Sequence, residues 1–168
     1  VFLYYGEELG MKGSGKDENK RAPMYWNKDG NAEGMCKGPA DMDDFRMKFD
    51  SLEEQQEDPD SIYNYVKQVI RVRNQNPVIA RGTTAYLEQY SGEQCFALTR
   101  SDENSSLLML GNTSAETATV DLSGLTIGKT AAEELVLLGE LYTGEETAER
   151  TGAEITLPAW SILILGEE

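Results

Sequence analysis

The chain has 168 residues, of which 39% are hydrophobic and 27% charged, a balance typical of a soluble globular protein. Its 15 basic and 30 acidic residues give a net charge of −15, which argues against nucleic acids and membranes as partners because phosphate contacts need clustered Lys and Arg. The absence of histidine excludes a His-based catalytic triad within the chain, and its two distant cysteines, Cys36 and Cys95, predict neither a disulfide framework nor a zinc site.

The first element in the chain is an apolar segment, residues 1–6, which predicts a buried strand. Glu7 and Glu8 follow it, at the end of a strand where barrel enzymes keep their chemistry. Adjacent residues on an extended segment point in opposite directions, so one structural carboxylate and one solvent-facing neighbour are favoured over a catalytic pair. No initiator Met and no leader precede the segment, so we expect the chain to be a fragment of a longer protein.

Residues 10–44 predict a long ordered loop, because they are rich in Gly, Asp, Lys, Asn and Pro and show no sustained period. Gly10–Asp17 approaches a phosphate-binding loop, but Asp17 replaces the hydroxyl that ligates magnesium, which favours a flexible loop tip over a nucleotide site. Asp41–Asp44 lacks the Gly and distal Glu of an EF-hand loop, which favours a solvated acidic turn over a calcium site. The Arg, aromatics and carboxylates of Asp17–Trp26 fit a sugar-binding rim and a packed ordered loop equally well.

A helix is predicted over residues 59–74, with Asp58 as its cap and Pro59 at its first position. Pro77 prevents the helix from continuing. Apolar residues recur at the spacing of one helical face, at Ile62, Val66, Val69 and Ile70. Residues 41–49 predict a shorter helical turn.

After Pro77 the pattern changes to short segments of strand character separated by turn residues. The predicted strands are 83–90, 94–101, 105–112, 116–122, 133–139, 154–157 and 160–165. This spacing is typical of an antiparallel β-sandwich. For Trp160 and its apolar neighbours Ile162–Leu165, a place in the sandwich core is favoured over a binding platform. We therefore predict a domain limit near residue 80, with residues 1–80 unable to fold alone and residues 81–168 forming a complete β domain.

Three motifs stand in a fixed order along the chain: Val1–Met11, which contains YYGEELGM, Asp17–Trp26, which ends in RAPMYW, and Gln56–Ile62 together with Ile70–Arg73 and Asn76–Ile79. Together they resemble the C-terminal part of the α-amylase family of glycoside hydrolases, and most closely its α-glucosidase and oligo-1,6-glucosidase-like members. The resemblance covers the whole chain. Ala22 replaces the usual Thr of the second motif, and Tyr25 replaces the usual Gln.

The resemblance implies a (β/α)8 barrel followed by a small antiparallel β domain. Residues 1–80 are then the last barrel strand, its long loop and the last helix, and residues 81–168 are the β-sandwich, so the chain as a whole is an α+β fragment. The catalytic carboxylates of the family lie on earlier barrel strands, so the resemblance assigns no catalytic residue to this chain. It implies that Arg21 binds substrate and that Tyr5 and Glu8 are structural residues near the active site.

The resemblance also implies that the parent protein is a retaining glycoside hydrolase acting on α-glucans or malto-oligosaccharides, and that this chain alone is inactive. No cofactor and no metal site are predicted in the chain. A calcium site in the parent protein is neither predicted nor excluded. Two alternatives stay open: a stand-alone carbohydrate-binding or structural β-sandwich module, and a catalytically inactive family relative. Residues 1–5 would lack their neighbouring strands, so we expect them to be disordered, to refold against the β domain or to self-associate with another copy.

Overall fold

The computed structural model describes residues 2–167, which form two compact units divided between Lys67 and Gln68. No helix in this described range is both long and apolar enough to cross a membrane. The division between the units falls inside a helix, some way before residue 80. The predicted domain limit near residue 80 stays a prediction, because a compact unit need not coincide with a homologous domain.

The strand predicted over residues 1–6 does not form in residues 2–6, and Val1 lies outside the described residues. Phe2 is 99% exposed, and the side chains of Leu3, Tyr4 and Tyr5 are also exposed. The backbone turns at Gly6 and enters a short 3-10 helix, Glu7–Leu9. The prediction of a buried strand was wrong because a lone extended segment has no partner for its backbone N–H and C=O groups.

The first unit contains a second 3-10 helix, Asp17–Arg21, and the helix α1, Leu52–Glu57. The helical turn predicted over residues 41–49 was wrong, and α1 forms after it instead. A capping box starts α1: the backbone N–H of Glu54 donates to the Ser51 hydroxyl at 3.5 Å, and the backbone N–H of Ser51 donates to the Glu54 carboxylate at 3.1 Å. The Ser51 hydroxyl and amide hold the pKa of Glu54 below its ordinary value.

The helix α2, Ile62–Gln75, confirms the predicted helix but begins later than Pro59. Asp58 does not cap it; the Asp58 carboxylate accepts from the backbone N–H of Asp60 at 3.0 Å and so closes a turn between α1 and α2. The cap is Ser61, whose hydroxyl accepts from the backbone N–H of the third helical residue at 3.2 Å. Local hydrogen bonding therefore moved the start of the helix away from the position that proline favours.

In the described residues, the second unit contains the end of α2, a short helix α3, two 3-10 helices, Glu88–Tyr90 and Ala132–Glu134, and ten strands. Their bounds are α3 Val78–Arg81, β1 Thr83–Tyr86, β2 Cys95–Ser101, β3 Ser106–Asn112, β4 Ala118–Asp121, β5 Thr126–Ile127, β6 Thr130–Ala131, β7 Val136–Leu141, β8 Glu149–Thr151, β9 Glu154–Leu157 and β10 Ser161–Gly166. All strand pairings are antiparallel. The order is β1-β2-β3-β10-β7 in one sheet, β4-β9-β8 in a second, and β5-β6 in a separate hairpin.

The two larger sheets share one hydrophobic core, which confirms the predicted antiparallel sandwich. Strand β4 shows the alternation clearly, because Ala118 and Val120 are buried while Thr119 and Asp121 are exposed. The main buried residues of the core are Ala97, Leu108, Leu110, Val120, Leu122, Ile155, Leu157, Leu163 and Leu165. Strands β5, β6 and β8 were missed by the sequence analysis because two or three residues are too few to show a period.

The position of Trp160 contradicts its assignment to the core. The residues that follow it on β10, Leu163–Leu165, are buried as predicted, but Trp160 itself is 52% exposed. Its backbone has φ 51°, in the left-handed region that bulky residues rarely adopt. The chain turns at this residue before β10 begins at Ser161. The indole therefore does not follow the alternation of buried and exposed side chains on which the prediction was based.

Candidate functional site

The turn that follows the N-terminal segment is built on two glycines in the left-handed region, Gly6 with φ 87° and Gly10 with φ 64°. The carboxylate of Glu8 accepts from the backbone N–H of Gly6 at 2.8 Å, and that of Glu7 accepts from the N–H of Tyr4 at 3.1 Å. Both glutamates therefore satisfy backbone groups of their own turn. These bonds agree with a structural role for Glu8, which stays a prediction.

Gly10 lies against the first residue of α2, Ile62, and against the aromatic ring of Phe49. A Cβ atom at this position would lie 2.5 Å from Phe49 Cδ2 and 2.8 Å from Ile62 Cδ1. We expect Gly10→Ala to lower the free energy of unfolding by about 2 kcal/mol or more, because left-handed strain and a steric clash add. Urea unfolding followed by circular dichroism measures the change.

Gly30 is the matched control, because it has the same φ of 64° and no atom within 4 Å of an added Cβ. Gly30→Ala should cost only the backbone strain, about 1 kcal/mol. Equal losses for the two variants would show that the contact with Phe49 and Ile62 contributes nothing.

Tyr5 connects the N-terminal segment to the second motif. Its hydroxyl donates to the backbone carbonyl of Ala22 at 2.9 Å. Partial desolvation raises the pKa of the Tyr5 phenol, and the neighbouring Tyr4 raises it further, so the phenol keeps its proton and remains a donor at neutral pH. Tyr5 therefore fixes the distance between the turn at Gly6–Gly10 and the segment that carries Arg21.

Arg21 is the last residue of the 3-10 helix Asp17–Arg21, and its side chain is 58% exposed. Its Nε donates to the backbone carbonyl of Asp17 at 3.4 Å, and its Nη2 lies 3.6 Å from the Glu18 carboxylate. Both contacts are long and exposed, so each contributes little to stability. The guanidinium is consequently accessible to a ligand with hydroxyl or carboxylate acceptors, which agrees with the predicted substrate contact without testing it.

Asn19 is 5% exposed and holds the two ends of the long loop together. Its side-chain amide donates to the carbonyl of Ser14 and to the carboxylate of Asp43, both at 2.8 Å, and its Oδ1 accepts from the backbone N–H of Asp43 at 2.9 Å. Lys16 Nζ lies 2.7 Å from the same carboxylate. Asp43 was expected to be part of a solvated acidic turn; it is exposed, but it is also the anchor of this loop.

The Asn19 amide, and then Lys16, hold the pKa of Asp43 below its ordinary value of 3.8. The stability that these bonds contribute is present above the unfolded pKa and is lost as the pH falls through the lower, folded pKa. We expect the NMR signals of the Asn19 side-chain amide to change only below about pH 3.8. The variant Asp43→Asn should show no such titration, and wild-type signals that shift at neutral pH would contradict the assignment.

Gln55 is a second buried polar anchor, 4% exposed. Its Nε2 donates to the carbonyls of Leu9 at 3.0 Å and Asp50 at 2.7 Å, and its Oε1 accepts from the backbone N–H of Tyr63 at 3.1 Å. Sequence reasoning missed both Asn19 and Gln55. No local signal marks either of them, since Asp43 is 24 positions from Asn19 and Leu9 is 46 positions from Gln55.

An open cleft of about 370 Å³ lies between the N-terminal turn and the segment around Asn19. Of the residues predicted from the motifs, Tyr5 lines this cleft, whereas Glu8 and Arg21 are not among its lining residues. The lining of the cleft combines aromatic, ammonium and amide groups from Tyr4, Tyr5, Gly6, Glu7, Met11, Lys12, Gly13, Asn19, Lys20 and Ala22. Glu7 is the one carboxylate among these residues, so the cleft lacks the pair that retaining glycoside hydrolysis needs about 5 Å apart. Nor do the described residues group His, Cys, Asp or Glu closely enough to hold a metal ion. The aromatic, ammonium and amide groups of the lining are of the kind that contact and hydrogen-bond to hydroxyl-rich ligands.

Residues 1–82, which include this cleft, match the family described as the catalytic domain of α-amylase. Among curated proteins, α-amylase 3 of Dictyoglomus thermophilum is 32% identical over 81 residues, which are 48% of this chain and 16% of that protein. Over this part the chain is similar to the α-amylase family. A trehalose synthase of Thermus thermophilus is 26% identical over 131 residues, 71% of this chain and 14% of that protein.

Solved structures related to the α-amylase family extend the similarity to the second unit. Eubacterium rectale Amy13B matches with a TM-score of 0.91 and 38% identity over 100% of this chain. An α-amylase from H. orenii matches with a TM-score of 0.76 and 27% identity over 99% of it. The chain spans 31% of the first of these proteins and 32% of the second.

Proposed function

We propose that this chain is the C-terminal part of a retaining glycoside hydrolase that acts on α-glucans or malto-oligosaccharides, and that it is inactive by itself. One observation carries the proposal: the chain matches Amy13B along its entire length but covers only 31% of that protein. The α-glucosidase or oligo-1,6-glucosidase type suggested by the motifs is the narrower form of the proposal.

Within this proposal the chain borders the active site without containing the reacting carboxylates. Tyr5 and Glu8 support the turn at Gly6–Gly10 through their hydrogen bonds to the backbone of Ala22 and Gly6. Arg21 presents an accessible guanidinium to the hydroxyl groups of the bound sugar. Residues 1–80 complete the barrel, and residues 81–168 form its β domain.

The first test concerns the chain alone. Incubation with starch, maltotriose and isomaltose, followed by a reducing-sugar assay, should give no turnover above a protein-free blank, because one carboxylate in the cleft cannot act both as nucleophile and as acid/base catalyst. Turnover clearly above the blank would refute the proposal that the chain is inactive by itself.

The second test supplies the missing part from a relative. In a chimera, this chain replaces the matching 31% of Eubacterium rectale Amy13B, and the unaltered relative is assayed in parallel. We expect the chimera to fold and to hydrolyse the same α-glucans as the unaltered protein. A folded chimera that is inactive on every substrate of the relative would contradict the proposal.

The exposed N-terminal segment predicts self-association of the isolated chain. Phe2 is 99% exposed, next to Leu3 and Tyr4, which are each 54% exposed. Sedimentation velocity should show a mass that increases with protein concentration, and Phe2→Asp should weaken the association about tenfold because it places a charge in the apolar contact. Tyr86→Asp, at an aromatic residue 58% exposed in the other unit, is the control. A chain that stays monomeric would exclude this contact.

A further inference from the structure

Arg21 is carried by a helix that is too short to hold its own position. The helix is a 3-10 helix of five residues, Asp17–Arg21. Because the hydrogen-bond geometry of a 3-10 helix is poor, so short a helix depends on contacts outside itself. The Arg21 side chain does not supply them, since it contacts the carbonyl of Asp17 at 3.4 Å and the carboxylate of Glu18 at 3.6 Å, both within the same helix. Other residues must therefore fix the place of the guanidinium.

Asn19 ties this helix to two other segments of the first unit. It is the one buried residue among the five residues of the helix. Its Nδ2 donates to the carbonyl of Ser14 and to the carboxylate of Asp43, both at 2.8 Å, and its Oδ1 accepts from the backbone N–H of Asp43 at 2.9 Å. Both hydrogens of the amide nitrogen are therefore used. Asn19 can make these bonds together in one orientation of the helix only.

The burial of Asn19 also decides the direction of Arg21. With about three residues per turn, side chains two positions apart on a 3-10 helix lie about 120° from one another around the helix axis. Since Asn19 faces inward at 5% exposure, Arg21 faces away from the interior, and its side chain is 58% exposed. A rotation of the helix that released Asn19 would turn the guanidinium through the same angle.

Two further contacts limit the movement of the helix. A Cβ atom on Gly13 would lie 2.6 Å from the carbonyl oxygen of Asn19, so the two backbones are in direct contact. Directly after the helix, the carbonyl of Ala22 accepts from the Tyr5 hydroxyl at 2.9 Å. The helix is thus held at its centre by Asn19 and at its end by Tyr5. The motifs predicted a structural role for Tyr5, whereas they assigned none to Asn19.

We propose that Asn19 is a positioning residue for substrate binding, which acts through Arg21 by fixing the helix that carries the guanidinium. The inference rests on the proposed function, because that function assigns the contact with sugar hydroxyls to Arg21. Asn19 itself lines the 370 Å³ cleft. Both hydrogens of its amide are already bound to Ser14 and Asp43, so a direct role as a donor to the sugar is disfavoured.

The first test uses the 168-residue chain and needs no catalysis. The Nε–H signal of Arg21 in a proton–nitrogen NMR correlation spectrum reports the surroundings of the guanidinium. Asn19→Ala should shift this signal, because the helix is released. Asn27→Ala is the matched control and should leave the signal unchanged, since the Asn27 amide bonds only to Asn31 of the same loop, at 2.9 Å and 3.1 Å. An unchanged Arg21 signal in a folded Asn19→Ala variant would overturn the proposal.

The second test is a double-mutant cycle in the Amy13B chimera, with maltotriose as substrate. Asn19→Ala should lower kcat/KM about tenfold when Arg21 is present. In the Arg21→Ala background the same change should cost less than about twofold, because no guanidinium is left to be misplaced. A residue that only stabilises the fold would lower the activity by the same factor in both backgrounds, and that result would overturn the positioning role.

Two variants of Asp43 test the proposal without changing Asn19, and so remain informative if Asn19→Ala does not fold. Asp43→Ala removes an acceptor of the Asn19 amide and should lower kcat/KM about threefold. Asp43→Asn keeps a side-chain oxygen for that amide but loses the ion pair with Lys16 at 2.7 Å, and it should recover most of the loss. Equal losses for the two variants would assign the effect to the charge of Asp43 and contradict the proposal.

These outcomes are distinct from failure of the proposed function. A folded wild-type chimera without activity would refute the proposed function, and the NMR signal of Arg21 would still decide whether Asn19 fixes the guanidinium. An active chimera in which Asn19→Ala and Arg21→Ala act independently would refute the positioning role alone.

Discussion

Asn112→Asp is expected to lower the free energy of unfolding by about 3 kcal/mol or more, although the two side chains have nearly the same shape. In the wild type, Nδ2 lies 2.7–3.2 Å from three carbonyl oxygens. A carboxylate at this 3% exposed position cannot donate to them and brings a buried charge against three partial negative charges. Guanidinium unfolding followed by circular dichroism measures the loss, and the pKa of the new carboxyl should be raised by desolvation.

Asn74→Asp is the matched control for this prediction, because Asn74 is exposed on α2 in the same unit. It makes the same chemical change and should alter stability by no more than about 0.5 kcal/mol. If Asn112→Asp also stayed within that range, the segments that carry the carbonyls of Glu116, Leu157 and Pro158 would not depend on the Asn112 amide.

Arg21→Ala is expected to reduce kcat/KM about 100-fold in the Amy13B chimera, which corresponds to about 2.7 kcal/mol of transition-state stabilisation. The reason is that a guanidinium forms charge-assisted hydrogen bonds with sugar hydroxyls, and alanine leaves those hydroxyls without a partner. Arg21→Lys should recover only part of the loss, because an ammonium group lacks the planar fork. Steady-state kinetics on maltotriose measure both variants.

Arg46→Ala provides the control for charge and for surface effects. Arg46 is an exposed arginine of the same unit that lies outside the RAPMYW motif, and its removal should leave kcat/KM within about twofold. A loss of less than about threefold for Arg21→Ala, in a chimera that is otherwise active, would remove Arg21 from the substrate-binding residues.

Much of the second unit could be predicted from its sequence, because the patterns that mark its strands involve only neighbouring residues. Alternation of apolar and polar residues marks β4, where Val120 is buried and Thr119 exposed, and turn residues separate the strands. The same reasoning predicted α2, whose start it misplaced, because the hydrogen bonds of Asp58 and Ser61 compete with the preference of proline for a first helical turn. The resemblance to the α-amylase family likewise depended on short motifs that are read directly from the residues.

The candidate site was only partly predictable. Its motifs named Tyr5, Glu8 and Arg21, but the residues that hold the long loop in place, Asn19 and Gln55, carry no local signal. A buried side-chain amide is recognised by its partners, and those partners are brought together only when the loop closes on itself. The sequence pattern could therefore name candidate site residues but not the residues that hold the loop around them in place.

The sequence by itself determined the antiparallel β unit, the α2 helix and the similarity to the α-amylase family, because periodicity, turn residues and motifs act over a few neighbouring positions. Only the tertiary structure decided that the side chains of Phe2–Tyr5 and of Trp160 are exposed. A strand needs neighbouring strands to pair its backbone, so Phe2–Tyr5 stays exposed despite its apolar pattern. Trp160 faces solvent because Asn112, far from it in sequence, fixes a turn that the alternation along β10 does not reveal.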